Sequence, residues 1–271
     1  MIEWRNIWRG LIIGTSDLIP GVSGGTLAVI LGFYDQFIAA ISGFFSREWK
    51  KHLRFLIPLG IGVGLALVFL SKLMKWLLEH QPQPTFFFFM GLILGIIPYL
   101  VRHAEVKTKF RAGHYVLVIV AAILVALTGV FRPDEEVMSV ISLSLVNGIG
   151  LFFAGWVASM AMLLPGISGS FILLLLGVYP TAIDALSTLN IPVIAVIGAG
   201  VIMGFIVSSK LIKYLLARCP HLMFAIIIGM VIGSLYVVFP GLPTTSGTLI
   251  ISIITLLIGL GCALFLGKHE S

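Results

Sequence analysis

The chain has 271 residues, of which 59% are hydrophobic and only 10% are charged, and its mean hydropathy is +1.14. Soluble domains carry about 25% charged residues, so this composition excludes an ordinary cytosolic enzyme and a disordered chain. The net charge of +6 is not gathered into a long basic stretch, which argues against nucleic acid as a partner. Two cysteines, Cys219 and Cys262, make neither a disulfide framework nor a metal knuckle. We expect an all-α polytopic membrane protein with no metal and no cofactor.

Ten apolar segments follow along the chain, each near the roughly 20 residues that a helix needs to cross a bilayer. They lie at about 5–19, 24–44, 55–71, 86–101, 115–131, 142–163, 168–187, 191–209, 222–239 and 248–266. The first pair flanks Pro20-Gly21, and the sixth and seventh segments flank Pro165-Gly166. Each of these two broken pairs is either two full spans or a hairpin that enters and leaves on one side.

Basic residues predict the orientation. With the N-terminus in the cytoplasm, most lysines and arginines fall in inside loops, and only Lys72, Lys75 and Arg132 remain outside. The pattern predicts that both termini are cytoplasmic. The N-terminal sequence has no small-residue cleavage site after an apolar region, so we expect it to be retained.

The chain repeats itself at two offsets. Residues 20–34 read PGVSGGTLAVILGFY and residues 165–179 read PGISGSFILLLLGVY, with seven identities at an offset of 145. Residues 71–82 (SKLMKWLLEHQP) match 209–220 (SKLIKYLLARCP) at an offset of 138. We predict repeat 1 over 1–131, a linker over 132–141 and repeat 2 over 142–271, each repeat a broken pair plus three transmembrane helices. Since the first half starts inside and the second outside, the repeats are inverted, as in many secondary transporters. A duplicated scaffold without a transport role is the alternative.

The repeated motif P-G-[VI]-S-G-[GS] has the composition of a helix start inside the membrane. Proline ends the preceding helix, serine suits an N-cap, and small residues leave the first-turn amides bare, where an anion is a natural partner. The alternative is a kink packed against a neighbouring helix. The candidate phosphate-binding residues are Pro20, Gly21, Ser23, Gly24, Gly25, Thr26, Pro165, Gly166, Ser168, Gly169 and Ser170.

Glycines also recur on the helices that follow the motifs. Small residues let membrane helices approach closely and slide, although static packing explains them equally well. These are Gly60, Gly62 and Gly64 with Gly198, Gly200 and Gly204.

The paired motifs PGVSGGT and PGISGS, inverted and followed by LGFY and LGVY, resemble those of the bacterial polyprenyl-phosphate transporter family over essentially the whole chain. The resemblance implies a lipid transporter, not an enzyme, in the bacterial cytoplasmic (inner) membrane. It would flip undecaprenyl phosphate from the outer to the inner leaflet, so that the lipid carrier is reused after cell-wall polymer assembly. Its partners would be this lipid and the surrounding bilayer lipids.

The runner-up is an integral-membrane polyprenyl-pyrophosphate phosphatase, whose motif is similar. Hydrolysis requires an acid–base group, a nucleophile and strong charge neutralisation. This chain has no glutamate within a predicted span and no arginine after Ser23 or Ser168. A passive channel is a third hypothesis, which a substrate preference that depends on the lipid tail would argue against.

Charged residues near the breaks are further candidates. Intramembrane carboxylates are functional hypotheses by default, so Asp17 and Asp184 are candidate carriers for proton-coupled transport. Arg5 and Arg9 either reach the lipid headgroups or draw the lipid phosphate inward. A headgroup-collecting patch at each membrane face is predicted from Lys72 and Lys75, and from Lys210 and Lys213. Anchoring of helix ends among anionic lipids is the alternative role for these lysines.

Overall fold

The computed structural model describes residues 3–17, 23–44, 46–130, 145–187, 190–243 and 245–269. Over these ranges all regular structure is helical. The first half contains α1 (Asn6–Asp17), α2 (Gly24–Ile30), α3 (Tyr34–Phe44), α4 (Trp49–Leu65), a π-helical turn (Ala66–Leu70), α5 (Ser71–His80), α6 (Pro82–His103), α7 (Val106–Lys109) and α8 (Ala112–Val130). The second half contains α9 (Leu145–Leu163), α10 (Gly169–Leu175), α11 (Tyr179–Ser187), α12 (Ile191–Arg218), α13 (Pro220–Val238) and α14 (Ser246–His269).

Seven helical stretches in the described part of the chain are long and apolar enough to cross a membrane. The prediction of an all-α polytopic membrane protein is confirmed. The stretches are Trp49–Leu70, Pro82–His103, Ala112–Val130, Val146–Leu163, Ile191–Arg218, Pro220–Val238 and Ser246–Phe265.

The apolar segments 24–44 and 168–187 are each divided into two short helices. At both breaks a glycine has positive φ, 65° at Gly32 and 69° at Gly177. The amide of Phe33 donates to Ala28 O at 3.0 Å, and that of Val178 donates to Leu173 O at 2.8 Å. These bonds form a Schellman cap, so the repeated sequences LGFY and LGVY are helix stops.

In each half the helix before the motif lies parallel to the first long helix after it. A side chain at Gly10 of α1 would meet Leu59 O of α4, and one at Gly155 of α9 would meet Ile197 O of α12. Gly10 corresponds to Gly155 at the offset of 145 residues, and Leu59 corresponds to Ile197 at the offset of 138. Glu3 N also donates to Arg54 O at 3.2 Å, so α1 and α4 start at the same end of the molecule. The intervening chain must therefore return to the end from which α1 starts.

The later helices are exchanged between the halves. α6 packs on α14, with Gly91 facing Leu256 O, and α8 packs on α13, with Gly229 facing Val118 O. Gly91 corresponds to Gly229, and Val118 corresponds to Leu256, at the offset of 138 residues. Close packing of the two halves therefore recurs at equivalent positions.

α6 and α13 match each other at the offset of 138 and run in opposite directions. His103, at the end of α6, has its ring 5.0 Å from that of Phe224, near the start of α13. Phe87, near the start of α6, lies 6.3 Å from Phe239, at the end of α13. Inverted repeats would produce this arrangement, and the inversion itself stays a prediction. The boundaries of the repeats stay a prediction, since the linker 132–141 lies outside the described residues.

The main core surrounds α2. Every residue from Gly25 to Ile30 is buried, and the cluster that encloses this short helix includes Ile93 and Ile96 of α6 and Ile227 of α13. The first repeated motif consequently lies at the centre of the molecule.

Candidate functional site

The two repeated motifs meet at one cavity of about 580 Å³. Ser23, Gly24 and Gly25 line it from the first half, and Ser168, Gly169 and Ser170 line it from the second. The other lining residues are apolar or glycine. They come from α1, α3, α4, α9, α12 and the loop between α9 and α10: Ile13, Phe37, Ile41, Leu56, Leu59, Gly60, Val63, Met162, Leu163, Ile167 and Phe205. The result is a largely apolar chamber with hydroxyls and glycine backbone at the two helix starts.

The first motif is held by its own cap and by the second half of the chain. The amide of Gly25 donates to Ser23 Oγ at 3.2 Å, so Ser23 is the N-cap that the sequence predicts. Ser23 Oγ in turn donates to Leu164 O at 3.3 Å. Thr26 Oγ1 accepts a bond from the amide of Gly166 at 2.8 Å. Ser23 and Thr26 of the first motif therefore fix the backbone of residues 164–166, between α9 and α10.

The second motif has the same backbone plan and different side-chain bonding. Ser168 occupies the N-cap position without a side-chain cap bond, and its Oγ lies 2.8 Å from Ser170 Oγ. Gly166 has φ of +90°, and a side chain there would meet Met230 O. Ser168 is half-buried and Ser170 is exposed, so this pair of hydroxyls is open to a ligand in the cavity.

Several predicted site residues lie behind the cavity wall rather than on it. Thr26, Pro165 and Gly166 are buried and do not line the chamber. Thr26 instead accepts the hydrogen bond from the amide of Gly166, which is a packing contact of the kind that the alternative interpretation predicts. Pro20 and Gly21 lie outside the described residues.

The predicted charged residues are more scattered. Arg5 is exposed, and Arg9 packs over the Phe33 ring at 4.7 Å while it donates to Asn6 Oδ1 at 3.1 Å. Neither arginine lines the cavity. Asp184 is half-buried on α11.

Lys210 and Lys213 are exposed on α12. The backbone of Lys72 and Lys75 lies in α5, and that of Asp17 ends α1, but the side chains of these three residues are outside the described part. Among the described side chains, the cavity lining carries no charge. Recognition by this lining would use hydroxyls and backbone amides.

Sequence reasoning predicted only the six motif residues of the lining and none of the other eleven, which include Gly60 and Met162. Gly60 was interpreted as a packing glycine, but a side chain there would find no atom within 4 Å, and the same holds for Gly64 and Gly198. Gly62, Gly200 and Gly204 do contact neighbouring helices, so the packing interpretation holds for these three. Met162 is related to Asp17 by the offset of 145 residues, and its side chain lies against Gly169 of the second motif.

A bundle of membrane-spanning helices around a central chamber formed by two broken helices is an architecture of membrane transporters. Residues 13–252 match the model of a family described as undecaprenyl phosphate translocase-like. A polyprenyl-phosphate transporter of Staphylococcus aureus is 48% identical over 273 residues, covering 98% of this chain and 96% of the relative. Another from Vibrio cholerae is 33% identical over 251 residues, covering 88% and 78%. No solved structure matches the chain.

The chain belongs to the undecaprenyl phosphate translocase-like family. The resemblance inferred from the paired motifs is thereby confirmed. Both relatives are named as transporters, which supports a lipid transporter and not the alternative of a phosphatase.

Proposed function

We propose that this protein transports undecaprenyl phosphate from the outer to the inner leaflet of the bacterial cytoplasmic membrane. The single observation that carries the proposal is the convergence of both repeated motifs on one cavity in a chain of this family. The transported lipid would then re-enter the assembly of cell-wall polymers. Both termini would face the cytoplasm, as the distribution of basic residues indicates.

The phosphate would bind between the two helix starts. Ser168 and Ser170 supply hydroxyl donors, and Gly24 and Gly169 line the cavity with them. The amide of Gly25 is already bonded to Ser23, so the first motif contributes fewer amides than the sequence suggested. The second motif would thus be the stronger part of the site, and the first would hold it in place through Ser23 and Thr26.

Each broken pair would be re-entrant. α1 and α4 start at the same end of the molecule, and α9 and α12 also run parallel, so each broken pair would return to the face from which it entered. Because the two halves are predicted to be inverted, the motifs would reach the interior of the bilayer from opposite faces. A chamber at the meeting point of two such hairpins is accessible to a headgroup that has left either leaflet.

Charged residues outside the chamber would bring the headgroup to it. Lys72 and Lys75 would collect lipid phosphate at the outer face, with Lys210 and Lys213 as the counterpart inside and Arg5 and Arg9 beside the first hairpin. A proton carried by Asp17, or by Asp184, would offset the charge of the phosphate as it moves inward.

The test is lipid binding to purified protein, measured with polyprenyl phosphate, polyprenyl pyrophosphate and phosphatidic acid. We expect the wild type to prefer polyprenyl phosphate and the variant Ser168→Ala with Ser170→Ala to bind it about a hundredfold more weakly or worse, because two hydrogen bonds to a charged group, each worth about 1.5–3 kcal/mol, are lost. Ser246→Ala, at the start of α14 and away from the cavity, is the control. Unchanged affinity in the folded double variant would remove the second motif from the site. Release of inorganic phosphate from the pyrophosphate would restore the phosphatase hypothesis.

A further inference from the structure

Three residues of the cavity lining are exposed. Gly60 of α4, Met162 of α9 and Ser170 of α10 are exposed, whereas the other lining residues are buried or half-buried. We propose that these three residues frame a lateral opening through which the prenyl tail leaves the cavity into the lipid. The inference rests on the proposed function and adds to it the place where the protein contacts the prenyl tail.

The surface around this opening is apolar. On α4, Ile57 and Ile61 flank Gly60 and are 47% and 43% exposed. On α9, Phe153 and Val157 are 52% and 40% exposed on the helix that carries Met162. Side chains of this kind face acyl chains in a membrane protein, since an aqueous entrance would carry polar groups. The opening is therefore directed toward the hydrocarbon and not toward either water phase.

The size of the cavity requires an exit for the tail. At roughly 30 Å³ for each non-hydrogen atom, 580 Å³ holds about 20 such atoms, which corresponds to a phosphate group and about three isoprene units. Phe37, Ile41 and Leu56 provide apolar walls for those first units. A polyprenyl chain is much longer, so the remainder must pass through the wall wherever it is open.

The two sides of the opening differ in how they limit its width. At Gly60 a side chain would meet no atom within 4 Å, so the absence of a Cβ keeps this side open. Met162, on α9, has its side chain against Gly169, at the start of α10. Methionine is unbranched and flexible, which allows this side to adapt to the tail while the phosphate stays at the serines.

The experiment compares a long and a short lipid phosphate on purified protein in detergent. Polyprenyl phosphate needs the exit, whereas geranyl phosphate, with two isoprene units, fits inside the cavity. We expect Gly60→Leu to weaken polyprenyl phosphate binding by about tenfold or more, because the leucine fills the path of buried methylene groups. Binding of geranyl phosphate should stay within about twofold of the wild type. Gly64→Leu is the matched control, since Gly64 is also exposed on α4 with no atom near its Cβ and does not line the cavity.

A chemical block keeps the test independent of folding. In a background with Cys219→Ser and Cys262→Ser, Gly60→Cys is purified in folded form and then labelled with a bulky maleimide. Labelling should reproduce the tail-dependent loss. Equal weakening of both lipids, or no weakening of either, would overturn the lateral exit while leaving the phosphate site intact. A wild type that binds neither lipid would instead refute the proposed function.

Discussion

Tyr34 is in the first half of the chain, and its hydroxyl donates to Leu163 O in the second half at 3.0 Å. The side chain is buried, and together with Ser23 and Thr26 it brings three hydroxyls of the first half onto residues 163–166. The backbone at the end of α9 has no further turn of helix to bond with. Tyr34 supplies one of the bonds that the interrupted helix has lost.

We expect Tyr34→Phe to lower the stability of the protein by about 1–3 kcal/mol, because the ring still packs but a buried carbonyl loses its donor. The measurement is thermal unfolding in detergent, followed by the signal of the folded protein. Tyr214→Phe, on the exposed surface of α12, should leave the melting temperature unchanged. A Tyr34→Phe protein that melts with the wild type would show that this bond does not stabilise the junction.

Single residues also mark where sequence reasoning stops. The motif serines were found because the same letters recur at a fixed offset, and Ser23 is the N-cap expected of it. The stops at Gly32 and Gly177 recur at that same offset but were not predicted, since glycine is common within transmembrane helices. Their positive φ depends on the Schellman bonds, which no apolar pattern reveals. The asymmetry between Ser23 and Ser168 likewise arises from tertiary contacts.

At the scale of whole elements, α12 and its counterpart in the first half have different shapes. Residues 191–218 form one continuous helix, whereas the equivalent region is divided into α4, the π-helical turn 66–70 and α5. SKLIKYLL therefore lies at the end of one continuous α-helix in the second half, whereas SKLMKWLL forms α5 directly after a π-helical turn in the first half.

This difference gives the outer lysines a testable role. We expect cells whose only copy carries Lys72→Gln and Lys75→Gln to recycle the lipid carrier several-fold more slowly, since each lysine near the surface contributes about 1 kcal/mol of attraction to anionic lipid. The control is Lys50→Gln with Lys51→Gln, two exposed lysines at the start of α4, at the other end of the helical stretch that runs from α4 through α5. Normal recycling in the Lys72 and Lys75 variant would assign these residues to anchoring of the helix.

Segment prediction was reliable where helices are long and continuous. The seven spanning stretches correspond to seven of the ten apolar segments, because a run of about 20 apolar residues has few alternatives. The other three segments became α1, α2 with α3, and α10 with α11. Each of these helices is too short to cross a bilayer by itself, and α2 shows that an apolar segment can instead be buried inside the molecule.

For the molecule as a whole, charge movement decides the energetics of transport. Moving one negative charge inward against an inside-negative potential costs about 2.3 kcal/mol per 100 mV, and a phosphate monoester carries between one and two charges near neutral pH. The described lining of the cavity carries no compensating cation. Each proton that travels with the lipid would remove the cost of moving one charge.

We therefore expect reconstituted protein to translocate polyprenyl phosphate several-fold faster with an inward proton gradient, and Asp17→Asn to abolish that acceleration. Glu48→Gln, exposed before α4, is the control. A rate indifferent to the gradient in the wild type would exclude the proton. A gradient response that survives Asp17→Asn would exclude Asp17, and Asp184→Asn then distinguishes the other carboxylate from a proton carried by the lipid itself.

The exchange of helices between the halves has a consequence for how the protein is made. α6 finds its packing partner in α14 of the second half, and α13 finds its partner in α8 of the first half. Until α14 has been synthesised, the glycine face of α6 that includes Gly91 and Gly95 lacks its packing partner. Completion of the first half therefore depends on a helix made after it, and a chain released before α14 would lack this contact.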